Sequence, residues 1–187
     1  AIVDVIAPAD EAFLDGQGFA KGSMRLIDAD EATRIYGLMG PGREVSGGSG
    51  ANAAVGIAML GGQVAFVGRV ADDQLGQVFA HDIRAAGVDF CTPFANTGNP
   101  TARCLIHVTP DGQRTMNTYL GASQDLTIHD VDYDRVADAG ITYLEGYLWD
   151  PPLAKQAFLK AANLAHGAGR EISLSLSDPF CVGRYLT

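Results

Sequence analysis

Short apolar runs of six or seven residues recur along the chain, which is typical of strands in a sheet covered on both faces. These runs are Ile2–Ala7, Val64–Val70, Ile141–Tyr147 and Ile172–Ser177. Between them lie stretches with helical spacing of apolar residues, which are Ala51–Leu60, Gly76–Ala86 and Pro152–His166. Alternation of strands with helices predicts an α/β domain with a mostly parallel sheet flanked by helices.

A β-hairpin interrupts this alternation. Thr101–Thr109 and Arg114–Tyr119 flank Pro110-Asp111-Gly112, whose residues are typical of a tight turn. We expect the segment around this hairpin, approximately 96–123, to form part of a small β-sheet lid beside the α/β layer.

The stretch from Phe13 to Val45 also departs from the alternation. It holds a candidate short strand around Ser23–Ile27 and a candidate helix around Ala29–Gly37. We expect this segment, approximately 13–48, to supply the second part of the lid.

Composition excludes several classes of protein. The 187 residues carry a formal net charge of -9. A chain this acidic lacks the basic surface of a nucleic-acid-binding protein. No apolar run approaches the roughly 18 residues of a membrane span. The three cysteines, Cys91, Cys104 and Cys181, are widely spaced and fit a reducing compartment, so we expect a cytoplasmic protein.

The segment Gly47-Gly48-Ser49-Gly50 runs directly into a predicted helix. Glycines allow the backbone to approach a ligand closely, and a helix N-terminus presents unpaired N–H groups to oxygen-rich ligands. Asn52, in the first turn, carries an amide that can both donate to and accept from a hydroxyl. The local pattern leaves two interpretations open, a ligand-binding loop and a plain glycine-rich loop before a helix.

The same glycines satisfy the dinucleotide-binding pattern G-x-G-x-x-G/A over residues 48–53. That pattern requires a preceding buried strand and an acidic residue about 20 positions further on. Pro41–Ser46 is a poor strand candidate, and the acidic residues Asp72 and Asp73 fall too late. The dinucleotide interpretation is therefore disfavoured.

Asp4 lies inside the apolar run Ile2-Val3-Asp4-Val5-Ile6. Burying an unpaired carboxylate is costly, so Asp4 requires a partner or a ligand. A carboxylate can accept two hydroxyl hydrogen bonds, which suits the vicinal diol of a sugar. The alternative is an aspartate that caps a nearby turn.

These residues fall within a longer pattern that resembles PfkB-type, or ribokinase-like, carbohydrate kinases, and in particular their adenosine-kinase-like branch. The resemblance covers essentially the whole chain. It is carried by residues 47–54 (GGSGANAA), 60–62 (LGG), 64–68 (VAFVG), 72–76 (DDQLG), 85–88 (AAGV) and 175–180 (SLSDPF). One departure is Ala71, where many relatives have glycine. The resemblance implies a ribokinase-like fold with a small β-sheet lid.

The resemblance also implies a substrate site. Asp4 matches the carboxylate that holds the sugar hydroxyls, while Gly47, Gly48 and Asn52 match the loop and amide that complete the sugar site. Arg114 matches a catalytic lid arginine that lies near the transferred phosphate; the alternative is a solvated arginine after a hairpin turn.

Two further residues near the end of the third predicted strand match the family's site. Tyr147 matches an aromatic residue that lines the substrate pocket, although a core aromatic is the alternative. Glu145 is a further candidate to face the sugar.

The resemblance implies that residues 1–187 are the amino-terminal, substrate-binding part of a kinase. ATP and Mg²⁺ are the expected cofactors, with the ATP-binding half and the general base outside this chain. The family's later Asn-x-x-Glu and Gly-Ala-Gly-Asp elements do not occur between Ala1 and Thr187.

The implied activity is phosphorylation of a primary hydroxyl of a sugar or nucleoside, with an adenosine-like substrate favoured. The alternatives are a kinase for ribose or fructose and a non-catalytic sugar- or nucleoside-binding protein. The expected partner is a small molecule, without nucleic acid or membrane, and a homodimer is a further expectation.

Overall fold

The computed structural model describes residues 1–185. It contains strands β1 to β7, which are Ile2–Pro8, Met24–Leu26, Arg43–Gly47, Arg103–Val108, Arg114–Tyr119, Ile141–Glu145 and Glu171–Ser175. The helices α1 to α7 are Glu11–Gln17, Ala29–Leu38, Ser49–Met59, Gln74–Ala85, Tyr133–Asp138, Pro152–Gly167 and Pro179–Gly183. Short 3₁₀ turns cover Gly121–Asp125 and Gly146–Trp149.

The strands form two sheets. Five of them pair in the order β2-β5-β4-β1-β3, and β6 pairs with β7. The pairs β1·β4, β2·β5 and β6·β7 are parallel, whereas β1·β3 and β4·β5 are antiparallel. Parallel pairing therefore predominates among the described strands, and the predicted α/β fold class is confirmed.

Strand β1 lies inside the larger sheet and has two different faces. Val3, Val5 and Ala7 are buried, whereas the intervening residues, including Asp4 and Ile6, are only half-buried. Because strand side chains alternate between faces, Asp4 and Ile6 share the face opposite to the core. The core side packs against apolar residues of the helices, which include Leu14, Ile35, Phe79 and Ile83.

The two segments expected to form the lid supply strands β2 to β5. Residues 13–48 contribute β2 and β3, and residues 96–123 contribute the hairpin β4·β5. These strands do not form a separate sheet, because β3 and β4 flank β1 on its two sides. Strand β1, the first predicted strand of the domain, thus pairs with one strand from each lid segment.

The predicted strand Val64–Val70 is not a regular strand. The segment pairs in parallel with residues 89–95 at two isolated bridges, Ala65 to Asp89 and Ala71 to Ala95. Between the bridges, the Gly68 N–H donates to the hydroxyl of Thr92 at 3.4 Å instead of to a backbone carbonyl. A side chain therefore replaces the ladder hydrogen bond at the centre of this segment.

Residues 41–46, judged a poor strand from the sequence, contribute most of β3. Strand β3 is antiparallel to β1, with Val45 opposite Asp4 and Gly47 opposite Ile2. Its residues have no alternation of apolar and polar types, so it forms because the edge of β1 supplies hydrogen bonds. An antiparallel strand before the glycine segment differs from the parallel βαβ unit of the dinucleotide pattern.

Two predicted strands end earlier than expected. Strand β6 stops at Glu145, so Tyr147 lies in the following 3₁₀ turn and not at a strand end. Strand β7 stops at Ser175, and Ser177 adopts a left-handed backbone with φ of 64°. Both strands therefore end at the same level, with Glu145 opposite Ser175, and the two segments that follow lie at the same end of the β6·β7 sheet.

No helix within residues 1–185 is long and apolar enough to cross a membrane. Cys91, Cys104 and Cys181 are all free thiols, of which only Cys91 is exposed.

His107 gives the sheet a pH-dependent stability. It is 1% exposed on the core face of β4, and its ring lies 5.1 Å from that of Phe13 and 5.7 Å from that of Phe19. Burial lowers the pKa of His107 below its usual 6.5, although an interaction with the Thr115 backbone acts in the opposite direction. The folded protein therefore favours neutral His107, and the unfolded chain binds the proton more readily.

We expect the contribution of His107 to the free energy of unfolding to be largest above pH 6.5. It should fall as the pH drops below that value, by at most about 1.4 kcal/mol per pH unit, until folded His107 also protonates. Denaturant unfolding between pH 7.5 and 5 measures this slope. His107→Leu should flatten it relative to the exposed control His81→Gln, and an unchanged slope in His107→Leu would contradict the assignment.

Candidate active site

The half-buried carboxylate of Asp4 is the centre of the candidate site. Asp4 lies opposite Val45 of β3 and Cys104 of β4, on the face of the sheet that points away from the core. Within residues 1–185, no side chain or backbone group forms a hydrogen bond or ion pair with this carboxylate. Asp4 is therefore an acceptor without a protein donor, in a largely apolar strand.

Gly47 packs directly against this carboxylate. A Cβ atom at Gly47 would lie 2.3 Å from Asp4 Cγ and 2.4 Å from Asp4 Oδ2, so any side chain at this position would force the carboxylate to move. Gly48 follows with φ of 89°, a left-handed conformation that favours glycine, and it precedes α3. The two glycines thus have different requirements, close contact at Gly47 and backbone conformation at Gly48.

Arg114 acts on Asp4 through its charge. Arg114 is exposed at the first position of β5. It pairs with Val108, which pairs with Pro8, so it lies on the same sheet face as Asp4. Burial raises the pKa of Asp4, and the positive charge of Arg114 opposes that rise. The structure therefore brings Arg114 and Asp4 within electrostatic range on one surface.

Cys104 and Thr118 are neighbours of Asp4 in the sheet that the sequence did not indicate. The register places Cys104 beside Asp4 and Thr118 beside Cys104, and the Thr118 hydroxyl contacts the Cys104 sulfur at 3.3 Å. Burial raises the pKa of Cys104 to about 11, so the group next to Asp4 is a neutral thiol. Only the pairing of β1 with β4 identifies this neighbour.

Asn52 lies in the first turn of α3, which begins two residues before the predicted start of that helix. Its backbone N–H donates to the Gly48 carbonyl at 2.9 Å, and its side chain is exposed. The exposed amide is therefore available to solvent or a ligand at the helix start.

Glu145, at the end of β6, accepts hydrogen bonds from three hydroxyl groups. Ser49 donates to Oε2 at 2.7 Å, Tyr143 donates to Oε2 at 3.2 Å, and Ser177 donates to Oε1 at 2.5 Å. The chain segment 47–50 therefore contacts Asp4 at one end and Glu145 at the other.

Tyr147 follows Glu145 and is 45% exposed. Burial, and then a hydrogen bond to Asp178, raise the pKa of Tyr147 to about 12, so its phenol stays protonated. Asp178 also accepts a hydrogen bond from the Cys181 N–H at 2.8 Å and caps α7. The structure thus places Tyr147 with the groups at the ends of β6 and β7, next to Glu145.

Asp4 and Arg114 thus share one face of the larger sheet, Gly47 packs against Asp4, and Ser49 links the glycine turn to Glu145. The family model described as pfkB family carbohydrate kinase matches residues 24–183. The chain belongs to the pfkB family of carbohydrate kinases. The matched range includes the glycine turn, the hairpin with Arg114 and the Glu145 region, whereas Asp4 precedes it.

Solved structures of pfkB-type kinases superpose on almost the whole chain. The adenosine kinase from Sinorhizobium meliloti is 56% identical, with a TM-score of 0.88, over 99% of this chain and 57% of that chain. A probable sugar kinase protein from Rhizobium etli CFN 42 is 55% identical, with a TM-score of 0.89, over 99% of this chain and 56% of that one. The ribokinase-like fold predicted from the sequence is confirmed.

Curated pfkB relatives include plant fructokinases. Probable fructokinase-6, chloroplastic, from Arabidopsis thaliana is 31% identical over 129 residues, which are 68% of this chain and 34% of the relative. The chain thus spans about a third of this relative and just over half of the solved kinases.

Proposed function

We propose that the protein transfers the γ-phosphoryl group of ATP to a hydroxyl of a sugar or nucleoside, and that this chain supplies the substrate side of the site. The observation that carries the proposal is the carboxylate of Asp4, which accepts no hydrogen bond from the described residues, lies against Gly47 at the end of β3, and is within the electrostatic influence of Arg114. Membership of a carbohydrate kinase family supports the reaction class.

An adenosine-like nucleoside is the proposed substrate. The 56% identity to the adenosine kinase from Sinorhizobium meliloti, over 99% of the chain, favours it. Fructose or another sugar is the second candidate, because probable fructokinase-6, chloroplastic, from Arabidopsis thaliana is 31% identical over 68% of the chain.

Asp4 would hold the substrate by accepting hydrogen bonds from two neighbouring hydroxyl groups. The carboxylate is half-buried, so these bonds would form in a less polar environment than water and would be correspondingly strong. Gly47 lets the chain approach the carboxylate, and the amide of Asn52, together with Gly48, would complete the contacts from α3. Tyr147 would line the same pocket with its protonated phenol.

Arg114 would meet the phosphoryl oxygens as their charge changes during transfer. A guanidinium group presents several donors and keeps its charge, so it can neutralise these oxygens without a change in protonation. The acceptor hydroxyl also requires a base, which we expect outside residues 1–187.

ATP would supply the phosphoryl group, and Mg²⁺ would neutralise its phosphates. Residues 1–185 contain no group of three His, Cys, Asp or Glu side chains that could hold a metal ion.

We expect the intact protein to form ADP from ATP in the presence of adenosine, and to do so more slowly with ribose or fructose. In Asp4→Asn, the loss of charged hydrogen bonds should weaken binding of the preferred substrate by about 1.5–3 kcal/mol, roughly tenfold to a hundredfold. A coupled assay of ADP release and calorimetric titration of each substrate measure both effects.

Asp15→Asn, on the exposed surface of α1, is the matched control and should bind like wild type. Wild-type affinity in Asp4→Asn would remove Asp4 from the substrate site. Binding of adenosine without turnover in the intact protein would support a non-catalytic binding protein instead.

Cytoplasmic location and a homodimer remain predictions. The free thiols of Cys91, Cys104 and Cys181 are compatible with a reducing compartment. Cell fractionation tests the location, and analytical ultracentrifugation tests the oligomeric state.

A further inference from the structure

The carboxylate of Glu145 joins three separate parts of the chain. Ser49 is the first residue of α3 and lies 96 positions before Glu145, whereas Ser177 follows β7, 32 positions after it. Tyr143, on the same strand, supplies the third hydroxyl. Glu145 therefore connects the start of α3 to the ends of β6 and β7 by side-chain hydrogen bonds.

These hydroxyls occupy most of the hydrogen-bonding capacity of Glu145. An ionised carboxylate offers about four acceptor positions, and three are used here. A sugar diol needs two such positions, so it would have to displace at least one protein hydroxyl. Asp4 differs in this respect, because its carboxylate accepts no hydrogen bond from the described residues.

The surroundings of Glu145 fix its position. A Cβ atom on Gly146 would lie 2.3 Å from the Ser175 carbonyl oxygen and 2.9 Å from Ser177 Oγ, so the chain after Glu145 packs directly on the end of β7. Ser177 holds φ of 64°, which costs a serine free energy and persists only where neighbouring contacts compensate. Its hydrogen bonds to Glu145 and to Ser175 Oγ supply such contacts.

We propose that Glu145 is a positioning residue, which holds the start of α3 through the Ser49 hydroxyl and thereby keeps the Gly47-Gly48 turn against Asp4. A hydrogen bond to a charged carboxylate is about twice as strong as a neutral one, so it can fix this helix end. The consequence for substrate binding rests on the proposed function. In this assignment Glu145 does not itself hold the sugar.

Removal of either partner should release the same chain segment. In Ser49→Ala and Glu145→Ala, amide hydrogen exchange of residues 47–59 should accelerate at least threefold. Substrate KM should rise about tenfold in each variant, with kcat changed less. The reason is that the displaced turn contacts the substrate already in the ground-state complex, before phosphoryl transfer. The double variant should be no worse than the weaker-binding single variant, because Glu145→Ala already removes the hydrogen bond that Ser49→Ala breaks.

Ser173→Ala is the matched control, since this exposed serine of β7 pairs with Tyr143 but is not among the donors to the Glu145 carboxylate. It should leave both exchange and KM unchanged. Glu145→Gln keeps one acceptor oxygen and should recover part of the protection of residues 47–59. If Glu145→Ala does not fold, Ser49→Ala and Glu145→Gln still test the same contact.

The exchange measurement does not depend on catalysis, so it decides the role of the contact even if no sugar or nucleoside is phosphorylated. Accelerated exchange confined to residues 47–59 would support positioning. Wild-type exchange and KM in Ser49→Ala, together with a large loss of affinity in Glu145→Ala, would overturn the proposal and assign Glu145 to the substrate.

Discussion

Arg114→Ala should lower kcat about a thousandfold while changing the substrate KM much less. A guanidinium group that meets the phosphoryl oxygens stabilises the transition state more than the bound substrate, and such groups contribute about 10³–10⁵ in kcat. Steady-state kinetics of the intact protein with ATP and its preferred substrate measure the two parameters separately.

Arg43→Ala is the matched control, because Arg43 is an exposed arginine of the same sheet, opposite Ile6. It should retain wild-type kcat. Arg114→Lys should recover only part of the rate, since an ammonium group cannot form the paired hydrogen bonds of a guanidinium. A change confined to KM in Arg114→Ala would instead make Arg114 a substrate-binding residue.

The same substitution should alter the pH dependence of substrate binding. The charge of Arg114 holds the pKa of Asp4 below the value that burial alone would impose. Without it, Asp4 becomes protonated at a higher pH, so as the pH falls it loses its negative charge, and with it the strong hydrogen bonds of a carboxylate, earlier than in wild type. Calorimetric titrations over a range of acidic pH should therefore show the affinity of Arg114→Ala falling at higher pH than that of wild type.

The α/β fold was predictable because its main elements depend on local sequence patterns. The helix Pro152–Gly167 begins at a proline and ends near glycines, and its observed start coincides with the predicted one. The hairpin strands Arg103–Val108 and Arg114–Tyr119 lie within their predicted ranges, because the turn residues between them determine the pairing.

Elements that depend on distant partners were less predictable. Strand Arg43–Gly47 has no strand pattern of its own and exists because the edge of β1 pairs with it. Val64–Val70 has a clear strand pattern, yet a Thr92 hydroxyl interrupts its ladder. In each case the group that determines whether a regular strand forms lies more than 20 residues away in the sequence, so the local pattern does not indicate it.

The candidate site divides in the same way. The glycine segment indicated a close approach of the backbone, and Gly47 does approach another group, the Asp4 carboxylate. The neighbours Cys104 and Ser49 carried no signal, because their importance arises from strand register and from a contact 96 positions distant. The type of site was therefore accessible from sequence, whereas the groups that support it required the three-dimensional contacts.

Gly47→Ala should cause the second large loss of function, and by a different mechanism from that of Arg114→Ala. The new methyl group would lie 2.3 Å from Asp4 Cγ and within 2.5 Å of both carboxylate oxygens. Either the carboxylate must rotate away or strands β1 and β3 must separate. Both changes displace Asp4 from its position beside Cys104, so we expect substrate affinity to fall about a hundredfold.

Stability should fall as well, by about 1–3 kcal/mol, which is the usual cost of forcing a methyl group into a filled space. Calorimetric titration and denaturant unfolding of the same variant separate the two effects. Gly16→Ala is the matched control, since a Cβ atom on Gly16, in α1, meets no other atom within 4 Å.

The double variant Gly47→Ala with Asp4→Ala distinguishes a specific clash from general damage. Shortening Asp4 removes the carboxylate that the new methyl group meets, so stability should return toward that of Asp4→Ala alone, while substrate affinity stays low. If the double variant is as unstable as the sum of the two single variants, the clash lies with the backbone and not with Asp4. Wild-type affinity in Gly47→Ala would show that the contact between Gly47 and Asp4 does not shape the substrate site.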